Sequence, residues 1–191
     1  MVNTAAARST DMCEPSKDAD ADLRPTDDVE ALGLCALVWA APEIARGIVD
    51  ILVPNDFERS WYGSLFGIIA GLVRAERPHG ARMVSSALAR AGDAVVDGHR
   101  VEMLTRSLTD ITTAGSLGYE ANYYALEILA QSYRRGYVAS AQALTQIAEE
   151  VPTDELFERM CVLGRERRAA RERFEGAKTA LSKMKEPEKA P

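Results

Sequence analysis

Residues 119–151 read YEANYYALEILAQSYRRGYVASAQALTQIAEEV, and this stretch decides the fold. Apolar residues recur in it at alternating spacings of four and three, which places them on one stripe of a helix. The stripe comprises Tyr119, Tyr123, Leu126, Ala130, Tyr133, Tyr137, Ser140, Leu144, Ile147 and Val151. Because Ser140 alone is polar in that set, we predict one long helix with a continuous apolar edge.

The same spacing starts again after the turn Val151-Pro152-Thr153-Asp154. Pro152 cannot continue the first helix, and Thr153 or Asp154 can cap a second one. The second stripe comprises Leu156, Met160, Leu163, Arg167, Ala170, Phe174, Ala177, Leu181 and Met184, with Arg167 as its one polar member. A link this short forces the two helices to run antiparallel, as a hairpin with arms about 45 Å long.

This hairpin exposes more apolar surface than one copy covers, because four tyrosines lie on the apolar stripe of its first arm. Association with a second copy is the simplest way to bury this apolar surface, since a two-fold contact buries the same patch on both chains. The alternative is that the preceding segment folds back over the arm. We expect a homo-oligomer, a dimer or larger, whose interface comprises Tyr123, Leu126, Tyr133, Tyr137, Phe157, Met160, Leu163 and Phe174.

Helical spacing also governs the segment before the hairpin, and no alternating run bounded by hairpin turns indicates a strand. We predict helices over 27–40, 43–52, 60–76, 81–91 and 97–109, with Thr26 or Asp27 capping the first and Phe57 pointing into the core. The fold class is therefore all-α, with a small helical head at 26–116 and a long antiparallel hairpin at 117–182.

Three glycines, Gly63, Gly67 and Gly71, recur at a spacing of four in the third predicted helix. Each costs a helix about 1 kcal/mol relative to alanine, so their shared face indicates that another backbone crosses closely there. A membrane helix pair is the other use of this spacing, but the apolar run is too short to span.

The chain has 191 residues, a formal charge of −6, 47% hydrophobic residues and 27% charged residues, which is an ordinary globular balance. Residues 1–25 are acidic and lack an apolar run, so we expect a disordered tail rather than a signal peptide. The last stretch, 183–191, should fray likewise. Its three widely spaced cysteines suit a reducing compartment, and we expect a cytoplasmic protein.

The sequence offers little for catalysis. It contains no GxxxxGK[ST] phosphate loop and no nucleophile elbow. We expect His79 and His99 at the surface, because no ligand-spaced cysteine or carboxylate surrounds either of them. Cys35, on an apolar helical face, is expected to be inert packing. We therefore predict no enzyme activity, no cofactor and no metal.

Arginines on the second hairpin arm favour an alternative function, a small nucleic-acid-binding protein. Arg165, Arg168 and Arg171 could contact phosphates if they lie on one side. However, Glu172 and Glu175 stand four residues after Arg168 and Arg171, where each can pair with its arginine. The acidic balance of the chain also disfavours nucleic acid, so solvated ion pairs are the preferred interpretation.

Several short motifs resemble the N-terminal domain of the DnaB-type bacterial replicative helicase, over about residues 26–174. Val29-Glu30-Ala31-Leu32-Gly33 is similar to that family's first-helix signature. Ile51-Leu52-Val53-Pro54-Asn55-Asp56-Phe57 with Leu65-Phe66 resembles its second block. Ala121-Asn122-Tyr123-Tyr124-Ala125 with Arg134-Arg135 resembles the entry to its hairpin.

The resemblance implies a helical head and a hairpin that pairs between neighbouring subunits to form a collar, on which primase and loading factors dock. It therefore implies a non-catalytic module of DNA replication, with itself, a helicase or primase as partner. Two departures stand out. Tyr62 occupies a position where the family commonly has histidine, and the motor domain with its phosphate loop is absent from this sequence.

Overall fold

A computed structural model describes residues 28–94 and 98–184. Seven α-helices and two short 3-10 turns make up this part of the chain, and it contains no strand. The helices are α1 Val29–Trp39, α2 Pro42–Ile51, α3 Ser60–Arg74, α4 Ala81–Ala94, α5 Gly98–Thr112, α6 Ala121–Glu150 and α7 Leu156–Lys183. The 3-10 turns are Pro54–Asp56 and Gly118–Glu120. The prediction of an all-α head followed by a long hairpin is confirmed. The predicted tail at 1–25 and residues 185–191 of the predicted tail at 183–191 lie outside the described residues, while Lys183 still belongs to α7.

Two predicted helix caps were wrong. Asp28, rather than Thr26 or Asp27, caps α1, because its carboxylate accepts a hydrogen bond of 2.9 Å from the backbone N–H of Glu30. α7 begins after Glu155 with no side-chain cap. There the turn closes through the backbone, since the N–H of Glu155 donates to the carbonyl of Pro152 at 2.9 Å.

The core of the head surrounds α1, whose side chains are buried on almost every side. A fully buried leucine contributes about 1.5–3 kcal/mol, so the buried leucines of this helix stabilise the head. Phe57 is buried as predicted and packs against Phe66 with ring centroids 5.1 Å apart. The turn before it therefore joins α2 and α3 to the same core.

Close backbone crossings explain two of the glycines. A Cβ on Gly63 would lie 2.5 Å from the carbonyl oxygen of Pro54, which confirms the predicted close crossing at this position. Gly67 is in ordinary contact with Pro54, and Gly71 has nothing within 4 Å, so the prediction was wrong for Gly71. Gly33 was not singled out, yet a Cβ there would lie 2.6 Å from Ile128, which shows how closely α6 crosses α1.

The inner half of the hairpin shares the core of the head. Its six buried side chains are Ala121, Ala125, Ile128, Leu129, Ala177 and Leu181. From residue 130 to residue 176, by contrast, no side chain of the hairpin is fully buried. The predicted boundary at 116–117 thus separates two segments that share one core, and the outer half of the hairpin extends beyond it.

In the part of the chain that the structure describes, none of the helices combines the length and the apolar character needed to cross a bilayer.

Candidate interaction surfaces and the anchor of the hairpin

A buried carboxylate anchors the hairpin to the head. Asp56, at the end of the 3-10 turn Pro54–Asp56, is only 2% exposed. Arg173 of α7 donates two hydrogen bonds to it, from Nη1 to Oδ1 at 2.8 Å and from Nη2 to Oδ2 at 2.5 Å. Ser132 of α6 donates to Oδ1 at 3.0 Å, and the backbone N–H of Val53 donates to Oδ2 at 2.8 Å. One side chain of the head therefore holds both arms.

Arg173 and Arg135 complete this anchor. The hydrogen bonds to Asp56 raise the pKa of the Arg173 guanidinium above its ordinary value. Arg135 donates to the backbone carbonyl of Asp56, and its Nη1 lies 3.8 Å from Glu30 and 3.5 Å from Glu58. Both arginines are thus occupied by groups of the head.

Glu30 is a second buried carboxylate of the head, and it binds the backbone just before α3. Its buried carboxylate accepts hydrogen bonds from the backbone N–H groups of Glu58, at 2.6 Å, and Arg59, at 3.3 Å. Burial nevertheless raises the pKa of Glu30, because loss of hydration outweighs these hydrogen bonds and the charge of Arg135.

The pairing of Asp56 with Arg173 was missed at the level of sequence. Asp56 was named from the sequence only within a motif, and Arg173 was not singled out. Spacing along one helix cannot show a contact between residues separated by 117 positions. The available signal was the presence of Asp56 and Arg135 in two of the motifs that resemble the DnaB family.

The predicted interface residues fall into two groups. Tyr133 and Phe174 are half-buried and stack on each other across the two arms, with ring centroids 4.7 Å apart and an interplanar angle of 13°. Leu126 and Leu163 are also half-buried. The stacked pair of Tyr133 and Phe174 thus holds the arms of one chain together.

The other four predicted interface residues are exposed, and they lie in two places. Tyr137, Phe157 and Met160 belong to what we call the outer patch, whose members are Tyr137, Val138, Leu144, Phe157, Met160 and Val162, between 38% and 72% exposed. Spacing did not single out Val138 or Val162, because neither lies on the predicted stripes. The outer patch is the largest set of exposed apolar side chains on the described hairpin.

Tyr123 lies instead near the junction of head and hairpin. Trp39 ends α1 there, and the turn Gly118–Glu120 packs against it, since a Cβ on Gly118 would collide with the carbonyl of Trp39. We call this the shoulder patch, formed by Trp39, Leu117, Tyr119 and Tyr123, each more than half exposed. The exposed residues of the predicted interface therefore lie in two separate regions, the outer hairpin and the junction of head and hairpin.

The three arginines proposed for nucleic acid are exposed on α7. The ion pairs predicted for Arg168 with Glu172 and for Arg171 with Glu175 are not formed among the described residues. An ion pair with the same spacing of four joins Glu155, just before α7, to Arg159 at 3.6 Å. A helix advances about 100° per residue, so Glu172 and Glu175 still lie on the same side as the arginines. Their charges weaken any attraction for phosphates.

The remaining candidates have structural roles. His79 was expected at the surface, but it is buried, with Nε2 3.2 Å from the carbonyl oxygen of Ala40, which fixes the loop after α3. The side chain of His99 lies outside the described residues. Cys35 is buried, and its Sγ lies 3.5 Å from the carbonyl oxygen of Ser116. The described residues contain no group of three side chains suited to hold a metal ion.

A similar fold is found in a solved structure. The chain is similar in fold to the N-terminal domain of a DnaB helicase. The crystal structure of that domain from Mycobacterium tuberculosis superposes with a TM-score of 0.58 at 18% sequence identity, over 81% of this chain and 99% of the other. No family model matches the sequence, and no curated protein matches it.

The motifs that resemble the DnaB N-terminal domain meet where the hairpin joins the head. Glu30 and Gly33 of the first motif contact α3 and α6, and Asp56 of the second holds both arms. Asn122, in the hairpin motif, donates to the carbonyl of Met184 at 3.1 Å. These residues therefore help to hold the hairpin on the head.

Tyr62, where the DnaB family commonly has histidine, is buried in the head. The Arg59 guanidinium lies 5.6 Å from the centre of its ring, and burial raises the pKa of its hydroxyl. The phenol therefore stays neutral and acts as a packing residue next to a cation.

Proposed function

We propose that the protein is a non-catalytic interaction module of the DNA replication machinery, which associates with a second copy, a replicative helicase or primase through its hairpin and head. One observation carries this proposal: the outer half of the hairpin has no fully buried side chain, yet it presents the six apolar residues of the outer patch. The DnaB-like fold supports replication as the setting, and the cytoplasm as the location.

The size of the outer patch supports a contact between copies. In a two-fold contact, Phe157 and Met160 of both chains give four side chains. At about 1.5–3 kcal/mol each, full burial contributes at most roughly 6–12 kcal/mol. Association costs about 4–15 kcal/mol in lost freedom, a range that overlaps this gain, so these two residues alone leave little surplus. Burial of the rest of the patch adds to that surplus, which favours a contact along the whole outer hairpin.

The shoulder patch provides a second surface. A chain with one two-fold contact stops at a dimer, whereas two different contact surfaces allow assemblies larger than a dimer. We therefore propose that the outer patch joins two copies and that the shoulder patch joins these pairs or receives a helicase subunit.

Sedimentation equilibrium of the full chain tests the association. We expect the wild-type protein to sediment at a multiple of its 20.8 kDa chain mass. The double variant Phe157→Ser/Met160→Ser should sediment at a lower mass. Met103→Ser is the matched control, because Met103 is an exposed methionine on α5, outside the hairpin. Wild-type mass in the double variant would contradict the proposal.

Partner binding is tested with purified full-length helicase and primase from the same source. We expect one of them to bind the wild-type chain. It should bind the double variant, or a shoulder variant Trp39→Ser/Tyr123→Ser, at least about tenfold more weakly, because a few large apolar side chains carry most of an interface's binding energy. Binding of neither protein would restrict the proposal to self-association.

The alternative function, nucleic-acid binding through Arg165, Arg168 and Arg171, is supported by their exposure without ion pairs in the described part of the chain. Salt separates the two functions. Binding to DNA or RNA weakens steeply with salt in proportion to the phosphates neutralised, whereas an apolar assembly barely responds.

A further inference from the structure

Arg167 is the charged residue that interrupts the apolar stripe of α7, and the structure makes room for it. Gly136 lies opposite it on α6, and a Cβ there would collide with the Arg167 guanidinium. The side chain of Arg167 is half-buried, and its Nε is buried without a hydrogen-bond partner. Within the described residues, Arg167 also has no ion pair. A charged group has therefore been placed between the arms without a counter-charge, which is costly.

A cleft of about 360 Å³ lies at this point between α6 and α7. Arg167 lines it together with Arg135 and Arg173, while no aspartate or glutamate is among the lining residues. The exposed side chain of Asn55 stands at its rim and can donate further hydrogen bonds. The cleft is thus large enough for a small molecule and bears a positive charge.

One of the three guanidinium groups that line the cleft has no carboxylate partner among the described residues. Asp56 neutralises Arg173 through two hydrogen bonds, and Glu30 with Glu58 faces Arg135. Arg167 has no such neighbour in the described structure. A planar guanidinium matches the two oxygens of a carboxylate or a phosphate, and such charge-assisted pairs are the strong ones.

We infer that this cleft is a binding site for a small organic oxyanion, a phosphate ester or a carboxylate, held by the Arg167 guanidinium. A molecule bound there contacts both arms, so its binding stabilises the closed hairpin. The site uses neither the outer patch nor the shoulder patch, so it stands independently of the proposed association.

Inorganic phosphate and acetate are the probes, each titrated into the full chain with sodium chloride adjusted to hold the ionic strength constant. The readout is the NMR signal of the Arg167 Nε–H group, together with the thermal midpoint. We expect a saturable shift of that signal and a midpoint that rises with the probe, because binding to the folded state alone stabilises it. Saturation by phosphate only, or by acetate only, identifies the class of oxyanion.

Three variants make the test specific. Arg167→Met should remove the dependence of the midpoint on the probe. It should also fold, since replacing a buried unpaired charge by an apolar side chain is often neutral or stabilising. Gly136→Ala should weaken binding at least about tenfold, because the added Cβ displaces the Arg167 guanidinium from the position in which it pairs with the bound oxyanion. Arg165→Met is the matched control, because Arg165 is an exposed arginine on the same helix outside the cleft.

Two results would overturn the inference. One is a shift that grows linearly with both probes and never saturates. The other is an equal loss of probe dependence in Arg165→Met and Arg167→Met, which would reveal a general effect of surface charge.

Discussion

Asp56 connects three elements with a single carboxylate, and its replacement is the sharpest test at the scale of one residue. Asp56→Asn keeps the shape but removes the charge that faces Arg173. We expect the free energy of unfolding to fall by about 2–4 kcal/mol, because a buried charged partner is lost. Urea denaturation measures it. Asp154→Asn, at an exposed turn position, should change it by less than about 0.5 kcal/mol. Equal effects would contradict the anchor.

Glu30 provides a pH-dependent prediction. Its pKa in the folded protein is raised above the ordinary value of 4.5, so the folded state holds this proton to higher pH than the unfolded state does. The contribution of Glu30 to stability is therefore fully present below pH 4.5 and is lost as the pH rises through the folded pKa. Glu30→Gln cannot titrate.

Urea denaturation of wild type and Glu30→Gln at a series of pH values measures this difference. We expect the variant to gain stability relative to wild type as the pH rises from 4.5 towards neutrality. Other carboxylates cancel in the comparison, because they are common to both proteins. A relative loss of stability in the variant over the same range would show that the hydrogen bonds to the carboxylate outweigh its burial.

Glycines of α3 test the account at the scale of an element. Gly63→Ala places a Cβ against the carbonyl oxygen of Pro54, so we expect a loss of about 1–3 kcal/mol from overpacking. Gly71→Ala, two turns later in the same helix, meets nothing within 4 Å and should gain up to about 1 kcal/mol in helix propensity. Thermal unfolding compares the two, and effects of the same sign would contradict the crossing at Pro54.

Helices were predictable from the sequence, and their partners were not. The alternating spacing of four and three predicted α6 and α7 within two residues, because a helix repeats its own pattern locally. The same spacing could not show that Arg173 forms an ion pair with Asp56 of the head, or that the Arg167 guanidinium packs against Gly136 of the other arm. Those contacts join residues far apart in sequence, and their positions follow from how the elements pack.

The candidate surfaces were predictable to a similar degree. Four of the eight interface residues named from spacing are exposed, while Tyr133 and Phe174 stack within the chain. Trp39 and Leu117 were missed, since their exposure depends on how the turn Gly118–Glu120 packs against the end of α1. The register of the hairpin decides whether an apolar stripe faces the other arm or the solvent. Spacing along a single helix does not determine that register.

At the scale of the whole molecule, the head and the inner hairpin form one core, and the outer hairpin extends from it without buried side chains. Isolated helices gain little stability in water without a packed face. In a single copy, the outer half should therefore open readily, and its amide hydrogens should exchange quickly. Association through the outer patch would slow this exchange.

Hydrogen exchange followed by mass spectrometry measures this most directly, with wild type and Phe157→Ser/Met160→Ser compared at the same concentration. We predict that residues 137–163 exchange at least about tenfold faster in the double variant, because a contact between copies protects them in wild type. The core helices α1 and α3 should exchange alike in both proteins. Equal exchange of residues 137–163 in the two proteins would contradict the claim that the outer hairpin is an association surface.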